Sequence, residues 1–220
     1  MNWEHTKKQL KKIWHFLWKE DSIYSWVVNI ILAFILIKFI IYPGIGFILG
    51  TQLPVVAVIS ESMEHRGDFE TWWKNPALCG DANILYNNYT ECTQADWYEG
   101  HRITKEQFQN FPMHNGFNKG DIIILKGATY DSINVGDIIV FQSKLAYPII
   151  HRVIEKNDFI QTKGDHNPRQ IQDPKLNEKY VTKDLLLGKA WIKIPLLGYI
   201  KIWFSGLINC LATGFNQCTF

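Results

Sequence analysis

The sequence is poor in the features that mark several common functional classes. Its net charge is only +2 over 220 residues, and no basic stripe with interleaved aromatics runs through the part expected to form a folded domain, which argues against nucleic acid as a partner. Of its four cysteines, Cys79, Cys92, Cys210 and Cys218, none stands in a Cys-x-x-Cys pair. A zinc ribbon or thioredoxin-like dithiol is therefore not expected. Charged residues make up 20%, slightly below the globular average of about 25%. With hydrophobic residues at 47%, wholesale disorder is not expected. No small-x-small cleavage site cleanly follows the first long apolar run, so that run is expected to be retained rather than removed as a leader.

That run is the strongest positive signal. Ile23 to Tyr42 reads IYSWVVNIILAFILIKFIIY. Twenty mostly apolar residues span roughly 30 Å of hydrocarbon as a helix. Trp26 and Tyr42 stand near its ends as interfacial anchors. Lys38 would cost about 2.5–3.5 kcal/mol at mid-bilayer, but its stem can snorkel toward the end marked by Tyr42. Pro43 and Gly44 are expected to end the helix, giving a transmembrane segment over 23–43. Lys7, Lys8, Lys11, Lys12 and Lys19 precede it and favour a cytoplasmic N-terminus. In residues 1–22, Trp3, Leu10, Ile13, Trp14 and Leu17 recur at helical spacing, as in an amphipathic helix lying on the inner surface.

The external part, 44–193, carries short β-branched runs separated by Gly, Asn, Asp and Pro. They are Val55–Ile59, Asp121–Lys126, Asp137–Gln142, Ile149–Glu155, Phe159–Lys163 and Leu185–Lys193. No long helical pattern interrupts them. The expectation is a mainly β, antiparallel domain, closed or partly closed. Lys119-Gly120-Asp121 and Val135-Gly136-Asp137 read as the same turn placed before two strands, without any repeat architecture. Residues 65–117 are rich in Trp, Asn and Asp and read as an insertion or lid whose aromatics form a satellite core. Within it TKEQFQN, Thr104–Asn110, reads as a short capped helix. Cys79 and Cys92 flank a polar stretch, and either a disulfide or two free thiols fits them. Asn88-Tyr89-Thr90 fits the glycosylation acceptor pattern, a triplet that also arises by chance. From 194 to 220 the chain is apolar again and is expected to associate with the membrane, as a second span or as an amphipathic helix.

Ser62 follows the VVAVI strand. Alone it is an ordinary strand-end serine. His151 shares a strand face with Ile149 and Val153, and a histidine facing a cleft can take a proton from a serine hydroxyl. Asp165 and Asp173 follow, and either carboxylate could fix the imidazole tautomer. His65, His101 and His114 in the insertion, and His166 in a turn, read as surface residues.

Ser-Glu-Ser-Met at 60–63, Gly-Asp-Ile-Ile at 120–123 and 136–139, His-Arg-Val at 151–153 and Thr-Lys-Gly-Asp-x-Asn at 162–167 occur in this order after one N-terminal membrane helix. The set resembles type I signal peptidases, over about residues 23–199. Gly188-Lys189-Ala190 and Ile194–Tyr199 extend the likeness. Histidine at 151 resembles the archaeal and endoplasmic-reticulum branch, because bacterial-type members have a lysine there; the long insertion also resembles some archaeal members. The resemblance implies an antiparallel β domain resting on the membrane and removal of signal peptides from exported preproteins. It implies Ser62 as nucleophile, His151 as base, Asp173 as the favoured acid with Asp165 in support, and an oxyanion hole from the Ser62 N–H and Ser60. The two aspartates could exchange roles. The chain departs from the family pattern at Glu61 (usually Gly), at His65 (usually Pro) and at Ile171, where the second aspartate usually falls. Expected partners are signal-peptide-bearing preproteins and the lipid membrane. No metal or organic cofactor is implied, and the sequence does not decide whether accessory subunits are needed.

Overall fold

The computed structural model describes residues 3–80, 82–83, 86–87, 89–197 and 203. Asn88, Cys210, Cys218 and the C-terminal apolar segment beyond Leu197, Trp203 excepted, lie outside the described residues. The chain divides into two units, residues 1–48 and 49–220.

The first unit is helical. Helix α1 spans Trp3–Trp18 and has no buried residue. Helix α2 (Ile23–Leu36) starts at Ser22, whose hydroxyl accepts the Ser25 N–H at 3.2 Å, a standard N-cap. It continues through a π turn (Ile37–Ile41) into α3 (Tyr42–Leu49). Together they form one 27-residue helix, Ile23–Leu49, long and apolar enough to cross a membrane. Ser25 and Asn29 do not interrupt it. The Ser25 hydroxyl donates to Phe16 O at 2.6 Å and the Asn29 amide to Leu17 O at 2.8 Å. These side chains thus satisfy carbonyls that the end of α1 leaves unpaired.

Pro43 does not end this helix, contrary to the sequence expectation. A proline inside a helix removes one i→i−4 bond and presses on the carbonyl four residues back. Here the preceding turn widens, and the Tyr42 N–H reaches Ile37 O, five residues away, as π turns do. The helix stops at Gly50, whose φ of +67° suits a glycine just past a C-terminus.

The second unit holds β1 (Val55–Ala57), α4 (Phe69–Trp73), β2 (Pro76–Cys79), β3 (Ala82–Asn83), β4 (Tyr86–Asn87), β5 (Thr90–Thr93), α5 (Gln94–Gly100), α6 (Lys105–Gln109), β6 (Ile122–Lys126), β7 (Ile138–Phe141), β8 (Ile149–Lys156), β9 (Ile160–Lys163), β10 (Gln172–Asp173), β11 (Leu176–Asn177) and β12 (Leu186–Ile194). Six strands form an antiparallel sheet in the order β1-β6-β12-β7-β8-β9. Each of the six runs read from the sequence supplies one of them.

The two Gly-Asp segments are one turn used twice. In Asn118–Asp121 the aspartate side chain accepts the Asn118 N–H at 2.9 Å; in Asn134–Asp137 the matching bond is 2.8 Å. The glycines take φ of +90° and +92°, which other residues adopt only with strain.

The sheet's main core gathers Val58, Met63, Phe117, Ile123, Leu125 and Val140. The insertion builds a separate aromatic core from Trp72, Trp73, Trp97, Tyr98 and Phe108, closed by Ile154 of β8. Capping boxes start α5 at Thr93 and α6 at Thr104. Cys79 and Cys92 form a disulfide across the β2–β5 pair, with Cα atoms 5.9 Å apart.

Candidate active site

Ser62 sits in the turn that follows β1, and this turn is tied down on several sides. The Met63 side chain is 1% exposed in the main core. Met63 O accepts the Phe117 N–H at 3.0 Å, and Ser62 O accepts the His166 N–H at 2.8 Å. The Ser60 and Ser62 hydroxyls are 3.2 Å apart. Both serines line a cleft of about 180 Å³ whose other walls include Val56, Val58, Tyr147, Ile149 and His151.

His151 lies on β8, which is flanked by β7 and β9 and is buried on both faces. Ile149 and Val153 point into one cluster, Ile150 into the main core, and Ile154 into the insertion core. The strand therefore has no freedom to reorient the imidazole. Gly164, just past β9, opens the space in front of it. A Cβ there would fall 2.9 Å from His151 Nε2 and 2.8 Å from Ser62 O. The missing side chain is what lets this segment run beside both groups.

The other ring nitrogen, Nδ1, meets a carboxylate that the sequence reading did not single out. It donates to Glu178 Oε1. Glu178 is fully buried and held from every side. The Ile171 N–H bonds its Oε2 at 2.5 Å, the Thr162 hydroxyl approaches Oε1 at 3.5 Å, and its backbone pairs with Ile171 O and the Thr162 N–H at 2.9 Å each. A carboxylate on Nδ1 fixes the tautomer that presents an unprotonated Nε2.

The structure does not bring Asp173 to His151. Asp173 is exposed at the end of β10, and its Oδ1 accepts the Lys175 N–H at 2.8 Å. It shapes the Asp173-Pro174-Lys175-Leu176 turn between β10 and β11, a placement aspartate favours ahead of proline. That hairpin is what delivers Glu178. Burial alternates there, with Leu176 buried, Asn177 exposed and Glu178 buried, but in sequence the stretch is polar and reads as solvated, so nothing in it marks Glu178.

Asp165 is not on His151 either. It is fully buried and binds Arg152 in a fork, Nε to Oδ1 at 2.9 Å and Nη2 to Oδ2 at 2.7 Å. Tyr98 OH donates to Oδ1 at 3.1 Å, and His65 Nε2 lies 3.0 Å from Oδ2. Burial pushes this carboxyl's pKa up, but the Arg152 guanidinium and the hydrogen bonds outweigh it and hold Asp165 well below the usual carboxylate range. Arg152 spends its remaining donors on the carbonyls of Pro112, Met113 and Gly136. Lys163 is buried beneath the rings of Trp97 and Tyr98 and bonds Gln94 Oε1 at 2.8 Å. Burial pushes its pKa down to about 7, against the pull of Asp165 and Glu178.

His65, expected at the surface, has a side chain only 2% exposed. His101 stacks on Trp97, with centroids 3.8 Å apart.

No family model matches the chain. Proteins described as signal peptidase complex catalytic subunit SEC11, from Saccharomyces cerevisiae strains YJM789, RM11-1a and JAY291, are each 34% identical to it over 103 residues. Over that stretch the chain is homologous to SEC11. The match covers 42% of the chain and 60% of each yeast protein, so the chain spans under two thirds of the length of these curated relatives. The likeness is to the same family, the type I signal peptidases, that the ordered motifs resemble. Among the described residues no cluster of ligands suits a metal ion.

Proposed function

We propose that this chain is a membrane-anchored serine endopeptidase that removes signal peptides from exported preproteins. The observation that carries the reading is His151. Its Nδ1 is held by the buried Glu178, and its Nε2 faces the gap beside Gly164 that Ser62 borders.

In this reading His151 Nε2 takes the Ser62 Oγ proton as Oγ attacks the scissile carbonyl. The Ser62 N–H and the Ser60 hydroxyl face the oxygen on which negative charge develops. The imidazolium, stabilised by Glu178, then gives its proton to the leaving amine, and water attacks the acyl ester by the same route in reverse. Asp165 braces the site from behind and takes no proton. The small cleft, walled by Val56, Val58 and Ile149, suits a substrate with small residues at the first and third positions before the cut.

The apolar helix Ile23–Leu49 anchors the enzyme beside substrates that are themselves membrane helices. The lysines before it place the N-terminus in the cytoplasm and the catalytic unit outside. The Cys79–Cys92 disulfide supports an oxidising location for that unit.

Ser62→Ala and His151→Ala should each lower cleavage of a preprotein in detergent by at least about 10³-fold. Near-wild-type activity in either variant would overturn the reading.

A further inference from the structure

His65 occupies a position where a surface histidine has no reason to be stacked, bonded and buried at once. Its ring lies on Trp72 with centroids 3.6 Å apart and planes 4° from parallel. Gly116 also packs close to the ring, where a Cβ would come within 2.6 Å of its Cδ2 and 2.2 Å of Met63 O. Nε2 is bonded to Asp165, while the buried Nδ1 has no partner. This arrangement fixes one tautomer. Nε2–H donates to the carboxylate, and Nδ1 stays unprotonated because a proton there would have no acceptor.

Asp165 is thereby shared. Its Oδ2 meets both His65, three residues after Ser62, and the Nη2 of Arg152, the residue after His151. Asp165 also follows Gly164, which sits against both His151 Nε2 and Ser62 O, and its N–H points at Met63 Sδ at 3.4 Å. The elements that carry the serine and the histidine meet at one carboxylate. Besides His65 itself, two of the side chains on it or stacked against its partner, Tyr98 and Trp72, belong to the insertion.

We propose that His65 is a positioning residue. It clamps the Ser62 turn against the His151 strand through Asp165, and the 65–117 insertion serves the catalytic site by holding that clamp closed. The inference deepens the peptidase reading and rests on it for its kinetic consequence. The clamp acts on the alignment of Ser62 with His151, so its loss lowers turnover and leaves substrate affinity alone.

Two substitutions separate the ring from the donor. His65→Phe keeps the stack on Trp72 and removes the hydrogen bond. His65→Gln removes the ring and keeps an N–H donor for Asp165. The clamp requires H65F to retain its melting temperature and lose about 10- to 100-fold in kcat with KM unchanged, the scale set by a misplacement of about 1 Å. It requires H65Q to melt lower yet keep kcat within about threefold of wild type. Activity that follows melting temperature across the two variants would reduce His65 to a packing residue and overturn the proposal. Backbone amide exchange supplies a readout independent of any substrate. H65F should exchange faster at Met63 and Glu64 with β7 unchanged, and unchanged exchange at that turn would overturn the clamp even if no preprotein is cleaved. A wild-type enzyme that cleaves no preprotein would instead sink the peptidase reading alone.

Discussion

At the scale of single residues, the orienting carboxylate is the sharpest result. Asp173 and Glu178 lie at opposite ends of one small hairpin. The first spends its side chain on its own turn, and the second points inward onto His151. Removing the charge while keeping the shape distinguishes them. Glu178→Gln frees the imidazole to adopt the wrong tautomer, and in the Ser-His-Asp template the equivalent change costs about 10⁴ in kcat. We expect a loss of about 10³- to 10⁴-fold for Glu178→Gln and less than about threefold for Asp173→Asn, measured as kcat on one preprotein. A larger loss in the aspartate variant would move the acid to Asp173.

At the scale of elements, the insertion is a folded body with its own fastening. Capping boxes set the starts of α5 and α6, five aromatic side chains make its core, and one disulfide ties β2 to β5. The two cysteines are 13 residues apart. Closing a loop of that size stabilises by about 3 kcal/mol in the chain-entropy account. Cys79→Ala with Cys92→Ala should therefore lower the unfolding free energy by about 2–4 kcal/mol in urea titrations. A change below about 0.5 kcal/mol would mean that the aromatic core alone fixes this hairpin. The β5 end of the pair leads directly into Gln94 and Tyr98, which reach Lys163 and Asp165, so the fastening also supports the floor of the site.

At the scale of the whole second unit, four buried ionisable side chains face one another. Arg152 and Lys163 face Asp165 and Glu178, all without solvent contact. Lys163 is the member that titrates near neutrality. Its pKa is pushed down to about 7, whereas an unfolded lysine keeps its proton to about 10.5. Between those values the unfolded chain binds more protons, so the contribution of Lys163 to stability rises with pH through that window. The depressed pKa of Asp165 acts at the other end, where its contribution is lost as pH falls through the folded value. Urea midpoints of wild type should climb from pH 7 to pH 9, and Lys163→Met should flatten that slope. An unaltered slope in the variant would remove Lys163 as its source.

Much of this was legible in the sequence, for definable reasons. The six sheet strands, their Gly-Asp turns, the capped helix at 104–110 and the apolar helix from Ile23 all rest on local rules, where neighbours in sequence are neighbours in space. Ser62, His151 and the Gly-Asp segment could be named because their motifs are short and ordered. What only the tertiary structure decided depends on contacts between distant segments. Glu178 reaches His151 because β10 and β11 fold back over β9; nothing near it in sequence marks it. His65 is buried because Trp72 and Asp165, 7 and 100 residues away, close on it from two sides. Pro43 stays within its helix because the turn before it widens. The sequence by itself determined which chemistry is present and in what order. Which carboxylate serves the histidine, and what holds the serine turn in place, was decided by packing, because a buried charge goes where its partners are.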